Sequence, residues 1–256
     1  MPIAADLYYH LYAGGEEGER PPIVLIHGAG GTHLFWPPEV RRLPGYRVFA
    51  LDLPGHGKSE GRGQQTVSAY MEAVLDWLQA LGIHRAVFVG HSMGSAIALS
   101  LAIHHSDQAL GLGLLGASAW LRVNPLLLES TSNETTFHQA VETIASWSFS
   151  PQAPEQLTEL AARRLAETRP SVLHADFLAC NDFDVTQEVA ELHQPTIVIC
   201  GAEDQMTPLR QAQFLASTIP GARLVTIENA GHMVMLEQPQ SVAQALLEFL
   251  SGINYL

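Results

Sequence analysis

Two rhythms of apolar and polar positions divide this chain. From about residue 22 to 118, short continuous apolar runs alternate with segments whose apolar residues recur at helical spacing. Ile23–His27 reads as a buried strand followed by a Gly-rich turn, and Tyr46–Leu53 as another that ends at Pro54-Gly55-His56-Gly57. Within Val67–Leu81, the residues Val67, Tyr70, Met71, Val74, Leu75 and Leu78 recur at three- or four-residue spacing in most steps, which predicts a helix. A strand over 86–90, a helix over 93–105 and a strand over 109–116 follow. Strands without an exposed face, separated by helices, specify a parallel sheet covered on both sides. Asp6–Tyr12 can add an antiparallel edge strand.

The rhythm breaks over 119–186, which is rich in helix formers, punctuated by Pro125, Pro151, Pro154 and Pro170, and lacks a strand pattern. It resumes with a strand at Thr196–Cys200, a helix at Leu209–Thr218, a strand at Arg223–Ile227 and a last helix near Pro239–Leu250. The expected organisation is therefore an α/β core of residues 1–118 and 187–256, with a helical cap, 119–186, inserted between two sheet strands. The aromatic residues of that block (Trp120, Phe137, Trp147, Phe149, Phe177) suit either a pocket lining or an ordinary core.

Where strand 86–90 meets the following helix, the chain reads Gly90-His91-Ser92-Met93-Gly94. Gly-x-Ser-x-Gly between a strand and a helix is the nucleophile-elbow pattern, which exposes a serine at the apex of a strained turn. Side chains at 90 and 94 would collide with the neighbouring strand and helix. The bland alternative is a turn whose Ser92 merely caps the helix. A serine hydroxyl needs a base to take its proton and a third group to orient that base. Gly201-Ala202-Glu203-Asp204 places carboxylates just after one strand, and Gly231-His232 places a histidine just after the next. Ser, acid and His then follow separate strands in the order such a sheet requires.

With His27-Gly28-Ala29-Gly30-Gly31 and Asp52-Leu53-Pro54-Gly55-His56-Gly57-Lys58-Ser59 added, the chain resembles α/β-hydrolase-fold enzymes of the small, capped, esterase-like kind over nearly its whole length. The resemblance implies Ser92 as nucleophile, Asp204 as orienting acid and His232 as general base, with Glu203 the competing carboxylate. Ser95 departs from the Gly or Ala carried by many relatives, yet is still small. An oxyanion needs aimed donors, each contributing roughly 3 kcal/mol. The Met93 N–H, after the nucleophile and at a helix N-terminus, is one. The resemblance implies the Ala29 N–H as the second, with Gly30 as runner-up.

Composition narrows the partners. With 26 acidic and 13 basic side chains in 256 residues, the formal charge is −13. That balance repels phosphate backbones, and no basic cluster offsets it, so neither nucleic acid nor an anionic membrane is an expected partner. A small-molecule ester is, with Trp120, Trp147, Met206 and Met233 as candidate substrate contacts and an apolar acyl or alcohol group favoured. A monomer or weak homodimer is the default. Cys180 and Cys200 are too few for a disulfide scaffold and lack metal spacing, so buried thiols in a reducing compartment are expected. Without a basic stretch leading into an apolar one at the N-terminus, a cytoplasmic location is expected. No metal or cofactor is expected.

Several patterns carry less than they suggest. Gly111-Leu112-Gly113-Leu114-Leu115-Gly116 fits a dinucleotide fingerprint, but lies within a strand-like run instead of opening a helix. Gly57-Lys58-Ser59 lacks the first glycine of a phosphate loop, because position 52 is Asp. Asn133-Glu134-Thr135 is a chance sequon. His33 and His56 are weighed as entrance residues against hydrogen-bonded core positions, and His91 reads as structural. Asp182 and Asp184 are candidates to orient cap against core. The activity expected is ester cleavage through an acyl-enzyme. A lactone or C–C bond hydrolase, or an acyl transferase, could use the same triad; more remote is a ligand receptor that kept the fold.

Overall fold

The computed structural model describes residues 2–13 and 20–253. Its strands are β1 (Ile3–Ala4), β2 (Leu7–Ala13), β3 (Ile23–Ile26), β4 (Arg47–Leu51), β5 (Ala86–His91), β6 (Ala109–Leu115), β7 (Thr196–Gly201) and β8 (Arg223–Ile227). They form one sheet in the order β1-β2-β4-β3-β5-β6-β7-β8. β2 runs antiparallel to β4, and the pairs from β4 through β8 are parallel. The expected N-terminal edge strand is β2, capped at the sheet margin by the two-residue β1, which has no sequence periodicity to betray it. β3, β5 and β7 are buried at every position, which is why they read as unbroken apolar runs. β8 sits at the opposite margin and is only partly buried.

The helices are α1 (Pro38–Arg41), α2 (Val67–Ala80), α3 (Met93–His104), α4 (Pro125–Ser132), α5 (Glu134–Ser148), α6 (Glu155–Ala166), α7 (Pro170–Asp182), α8 (Leu209–Thr218), α9 (Val234–Glu237) and α10 (Pro239–Ser251). Alternate residues of each strand feed two cores. Val24 and Ile26 of β3 join α2, α3 and α8 on one face, while Ile23 and Leu25 join α1, α9 and α10 on the other. α3 is almost wholly buried, which explains the absence of charge in its sequence. Among the described residues, no helix is long and apolar enough to cross a membrane.

Helices α4 to α7 all lie between β6 and β7 and share an apolar cluster that includes Leu127, Phe137, Val141, Leu165, Leu173 and Phe177. The chain leaves for this insertion and returns through a paired stem. Val185 N–H donates to Ala119 O at 2.8 Å, Leu121 N–H to Phe183 O at 3.1 Å, and Arg122 Nη2 to Asp184 Oδ2 at 2.8 Å. Asp184 thus closes the stem. Asp182 is exposed at the end of α7 and takes no part in it.

Candidate active site

Ser92 occupies the turn between β5 and α3 with φ 54° and ψ −118°. A non-glycine residue with positive φ is strained by roughly 1–3 kcal/mol, so its surroundings must hold it. They do so through the backbone: Ser92 N–H donates to Leu115 O at 2.9 Å, and Ser95 N–H donates to Ser92 O at 2.8 Å. Ser95 Oγ, fully buried, bonds Gly90 O at 2.7 Å and Leu115 O at 3.0 Å. The departure at Ser95 is therefore a staple across the elbow. A Cβ on Gly90 would lie 2.1 Å from Gly94 O, and one on Gly94 would lie 2.0 Å from Ile26 O. Both glycines are required by the collision expected from sequence. Ser92 makes no capping bond with its side chain, so the helix-cap alternative does not describe it.

Asp204 and His232 meet past the ends of β7 and β8. His232 Nδ1 lies 2.9 Å from Asp204 Oδ2, with both side chains buried. Thr207 Oγ1 donates to the same oxygen at 2.8 Å, while the amides of Met206 and Thr207 donate to Oδ1 at 2.9 and 2.8 Å. Burial opposes the charge on Asp204, but the His232 ring and these donors hold its pKa below the ordinary value. With Nδ1 directed to the carboxylate, His232 keeps Nε2 for another partner, and the ring lines the same cavity as Ser92. Glu203 is only partly buried and is bonded through its backbone N–H to Ala230 O at 3.0 Å. His91 donates from Nε2 to His232 O at 3.0 Å. Burial, and then the nearby His232, push the His91 pKa down to about 3, leaving it a neutral strut for the His232 loop.

The loop after β3 approaches Ser92 because Gly28 has no side chain: a Cβ there would lie 3.1 Å from Ser92 Cβ. Gly30 N–H, the runner-up donor, is bonded to Asp176 Oδ2 at 2.8 Å. That leaves the Ala29 and Met93 amides as the candidates at Ser92, the latter in the first turn of α3 where N–H groups lack helical acceptors. His27 Nε2 accepts from Leu53 N–H at 3.0 Å, so its proton is on Nδ1, which donates to Gly28 O at 2.8 Å. Burial, then His56, lowers the His27 pKa to about 4 and keeps that tautomer neutral.

Two cavities meet at Ser92. One, of about 60 Å³, is walled by Phe35, Ile144, Phe149, Leu165, Met206 and Met233. The other, of about 290 Å³, reaches Trp120, Leu127, Trp147 and Met206. Ser92, His232, Ala29, Met206 and Phe177 border both. All four expected substrate contacts therefore face this space, Trp120 and Trp147 in the larger lobe and Met233 in the smaller. Phe137 belongs to the apolar cluster of the insertion instead.

Other histidines and glycines find structural partners. His33 Nδ1 bonds Asp52 Oδ1 at 2.8 Å, and His56 Nε2 bonds Asp176 Oδ2 at 2.8 Å. Both border a separate groove along the 52–61 loop, not the Ser92 cavities. Burial works against a charge on His56, but Asp176 holds its pKa above the ordinary value. Gly111 makes room for Ile253, and Gly113 for Leu246 of α10 and for Val89, the packing role expected of them. Gly116 differs. It lies one residue past β6 with φ 52°, and a Cβ there would be 3.0 Å from the His232 ring. Cys180 and Cys200 are free and buried, and burial followed by Asp204 raises Cys200 to about 12.

Thr207, Asp176 and Glu237 also hold this site, on weaker sequence signals or none. Thr207 was legible in principle, as an Asp-x-x-Thr turn whose carboxylate caps its own backbone. Asp176 carries a weaker signal, a lone acid inside the mostly apolar stretch 172–180. Glu237 carried none: its Oε1 accepts from Gly231 N–H at 2.8 Å and its Oε2 from Ser150 N–H at 2.9 Å, joining the His232 loop to the insertion.

A serine elbow and a buried carboxylate–imidazole pair at one end of a mostly parallel sheet define a class of fold and site. Residues 21–239 match the alpha/beta hydrolase fold family, and the chain belongs to it. It is similar to a pimeloyl-[acyl-carrier protein] methyl ester esterase of Vibrio vulnificus (strain YJ016), at 26% identity over 96% of this chain and 99% of that protein. Among solved structures it is similar to a hydrolase from Pseudomonas aeruginosa PA01, with 31% identity, a TM-score of 0.86 and coverage of 96% and 94% of the two chains. It is also similar to the enol-lactonase from Burkholderia xenovorans LB400, with 27% identity, a TM-score of 0.89 and 96% of each chain covered.

Proposed function

We propose that this chain is a serine hydrolase that cleaves small carboxylic esters with an apolar acyl or alcohol part. The observation that carries the reading is Ser92, strained at the elbow and free of a capping bond, in the same cavity as a His232 ring oriented by Asp204. Ser92 Oγ attacks the ester carbonyl as His232 Nε2 takes its proton. Asp204 holds the imidazole in the required tautomer and stabilises its cation. The Ala29 and Met93 amides receive the oxyanion. His232 then protonates the leaving alcohol and activates water to release the acid.

Residues 119–186 act as the cap, since α5 and α6 supply Ile144 and Leu165 to the wall facing Ser92. Those side chains exclude water and set the acyl length that fits. A cytoplasmic setting suits the two buried thiols. A lactone is the second substrate class, favoured by the likeness to an enol-lactonase. Rates on nitrophenyl esters of increasing acyl length, beside a lactone and a vinylogous diketone, test the reading. It predicts turnover of short apolar esters, abolished in Ser92→Ala. Turnover confined to the diketone would overturn it in favour of C–C cleavage, and no turnover with ligand-dependent stabilisation would favour a receptor.

A further inference from the structure

The amide expected to receive the oxyanion ends a hydrogen-bond chain that starts in the insertion. Thr168 lies between α6 and α7, and its Oγ1–H donates to Gly30 O at 2.9 Å. That carbonyl shares a peptide plane with the Gly31 N–H, which donates to Gly28 O at 3.0 Å. Gly28 O, which also accepts from His27 Nδ1 at 2.8 Å, in turn shares a plane with the Ala29 N–H. In a trans peptide C=O and N–H point oppositely, so fixing each oxygen aims the N–H across the plane. Each accepted bond also polarises the donor of the same unit, so the series strengthens the last one.

The insertion holds this loop from two further sides. Asp176 Oδ2 binds Gly30 N–H at 2.8 Å, and its other oxygen receives the Tyr70 hydroxyl. A Cβ on Gly30 would lie 2.4 Å from Leu165 Cδ1 and 2.9 Å from Leu173 Cδ1, so helices α6 and α7 pack directly on the backbone. Both polar groups of Gly30 are thus bound by residues some 140 positions away in the chain.

We propose that Thr168 is a positioning residue for the oxyanion hole, acting through the Gly30–Gly31 and Gly28–Ala29 peptides. The proposal rests on the serine-hydrolase reading of Ser92. It makes the insertion part of the catalytic electrostatics as well as a wall of the pocket. Asp176 steadies the same loop, but it is buried, and its replacement would disturb packing too. Thr168 is only partly buried, so its hydroxyl can be removed with little change of shape.

Thr168→Val and Thr168→Ser, measured beside Ser92→Ala on one nitrophenyl ester, test it. Thr168→Val is expected to lower kcat by about 5- to 30-fold with KM changed less than about twofold, below the roughly 10²- to 10³-fold loss on deleting a donor outright. Thr168→Ser should recover most of kcat, because it restores the hydroxyl without the methyl. An unchanged kcat in Thr168→Val, an effect on KM alone, or an equal loss in Thr168→Ser would overturn the relay. Retained turnover in Ser92→Ala would instead remove the serine mechanism itself, so the two failures are distinct.

Discussion

Replacing Asp204 by Asn changes one atom in the acid–base pair and should nearly abolish turnover. Asp204 Oδ1 already accepts two amide donors, from Met206 and Thr207, and Oδ2 accepts from Thr207 Oγ1 and His232 Nδ1. An Asn can satisfy the two backbone amides only by keeping its oxygen at the Oδ1 position. Its NH2 group then faces Nδ1, which must become the acceptor, and the ring proton moves to Nε2. A protonated Nε2 cannot take the proton of Ser92. The loss expected for a wrong tautomer with intact geometry is roughly 10⁴-fold in kcat, about 5 kcal/mol of barrier. Glu203→Gln, one residue away and partly exposed, should stay within about threefold of wild type. Stopped-flow release of nitrophenol separates acylation from steady-state turnover in both variants. An Asp204→Asn enzyme within about tenfold of wild type, or a Glu203→Gln enzyme as damaged as Asp204→Asn, would refute the assignment of the acid.

Gly94→Ala forces a methyl to 2.0 Å from a strand carbonyl, so it should destabilise the fold by about 1–3 kcal/mol or more and displace Ser92; urea unfolding and activity read both. Ser95→Ala removes one hydroxyl from two buried carbonyls and should lower stability by about 1–2 kcal/mol while retaining much of the activity, and an unchanged unfolding midpoint would contradict the staple. His27 and His91 have folded pKa values of about 4 and about 3, below the unfolded 6.5. The unfolded chain therefore binds more protons between those values. Stability should fall as pH drops from 6.5 to 5, by up to about 1.4 kcal/mol per unit for each ring, and a flat profile in denaturant titrations would oppose it. His56 has the opposite sign. Its raised pKa gives stability that is full below 6.5 and lost as pH rises through the folded value, and Asp176→Asn should remove that alkaline loss.

The parts of this molecule legible in sequence are those where one local pattern dominates. The helix at Leu209–Thr218 and the strand at Arg223–Ile227 have the bounds expected, and the central strands differ by one or two residues at their ends. Their apolar patterns extend over enough residues to mark a helix or a strand. β1, α1 and α9 have two to four residues each and carry no period at all. Ser92, Asp204 and His232 stood out because each follows its own strand, a feature of chain order. Thr168 and Asp176 gain meaning from partners far along the chain, brought close when the insertion seats on the core, and Glu237 joins the nearby Gly231 to the distant Ser150. In sequence Gly116 resembles the strand-packing glycines Gly111 and Gly113; its place beside the His232 ring depends on β6 ending at Leu115.

The mechanism passes through a covalent acyl-enzyme on Ser92. Acid quenching during steady-state turnover of a nitrophenyl ester, followed by intact-mass measurement and peptide mapping, tests it most directly. A mass increase equal to the acyl group is expected on the peptide carrying Ser92, absent, together with turnover, from Ser92→Ala. An acyl group on another residue, or full turnover by Ser92→Ala, would contradict it.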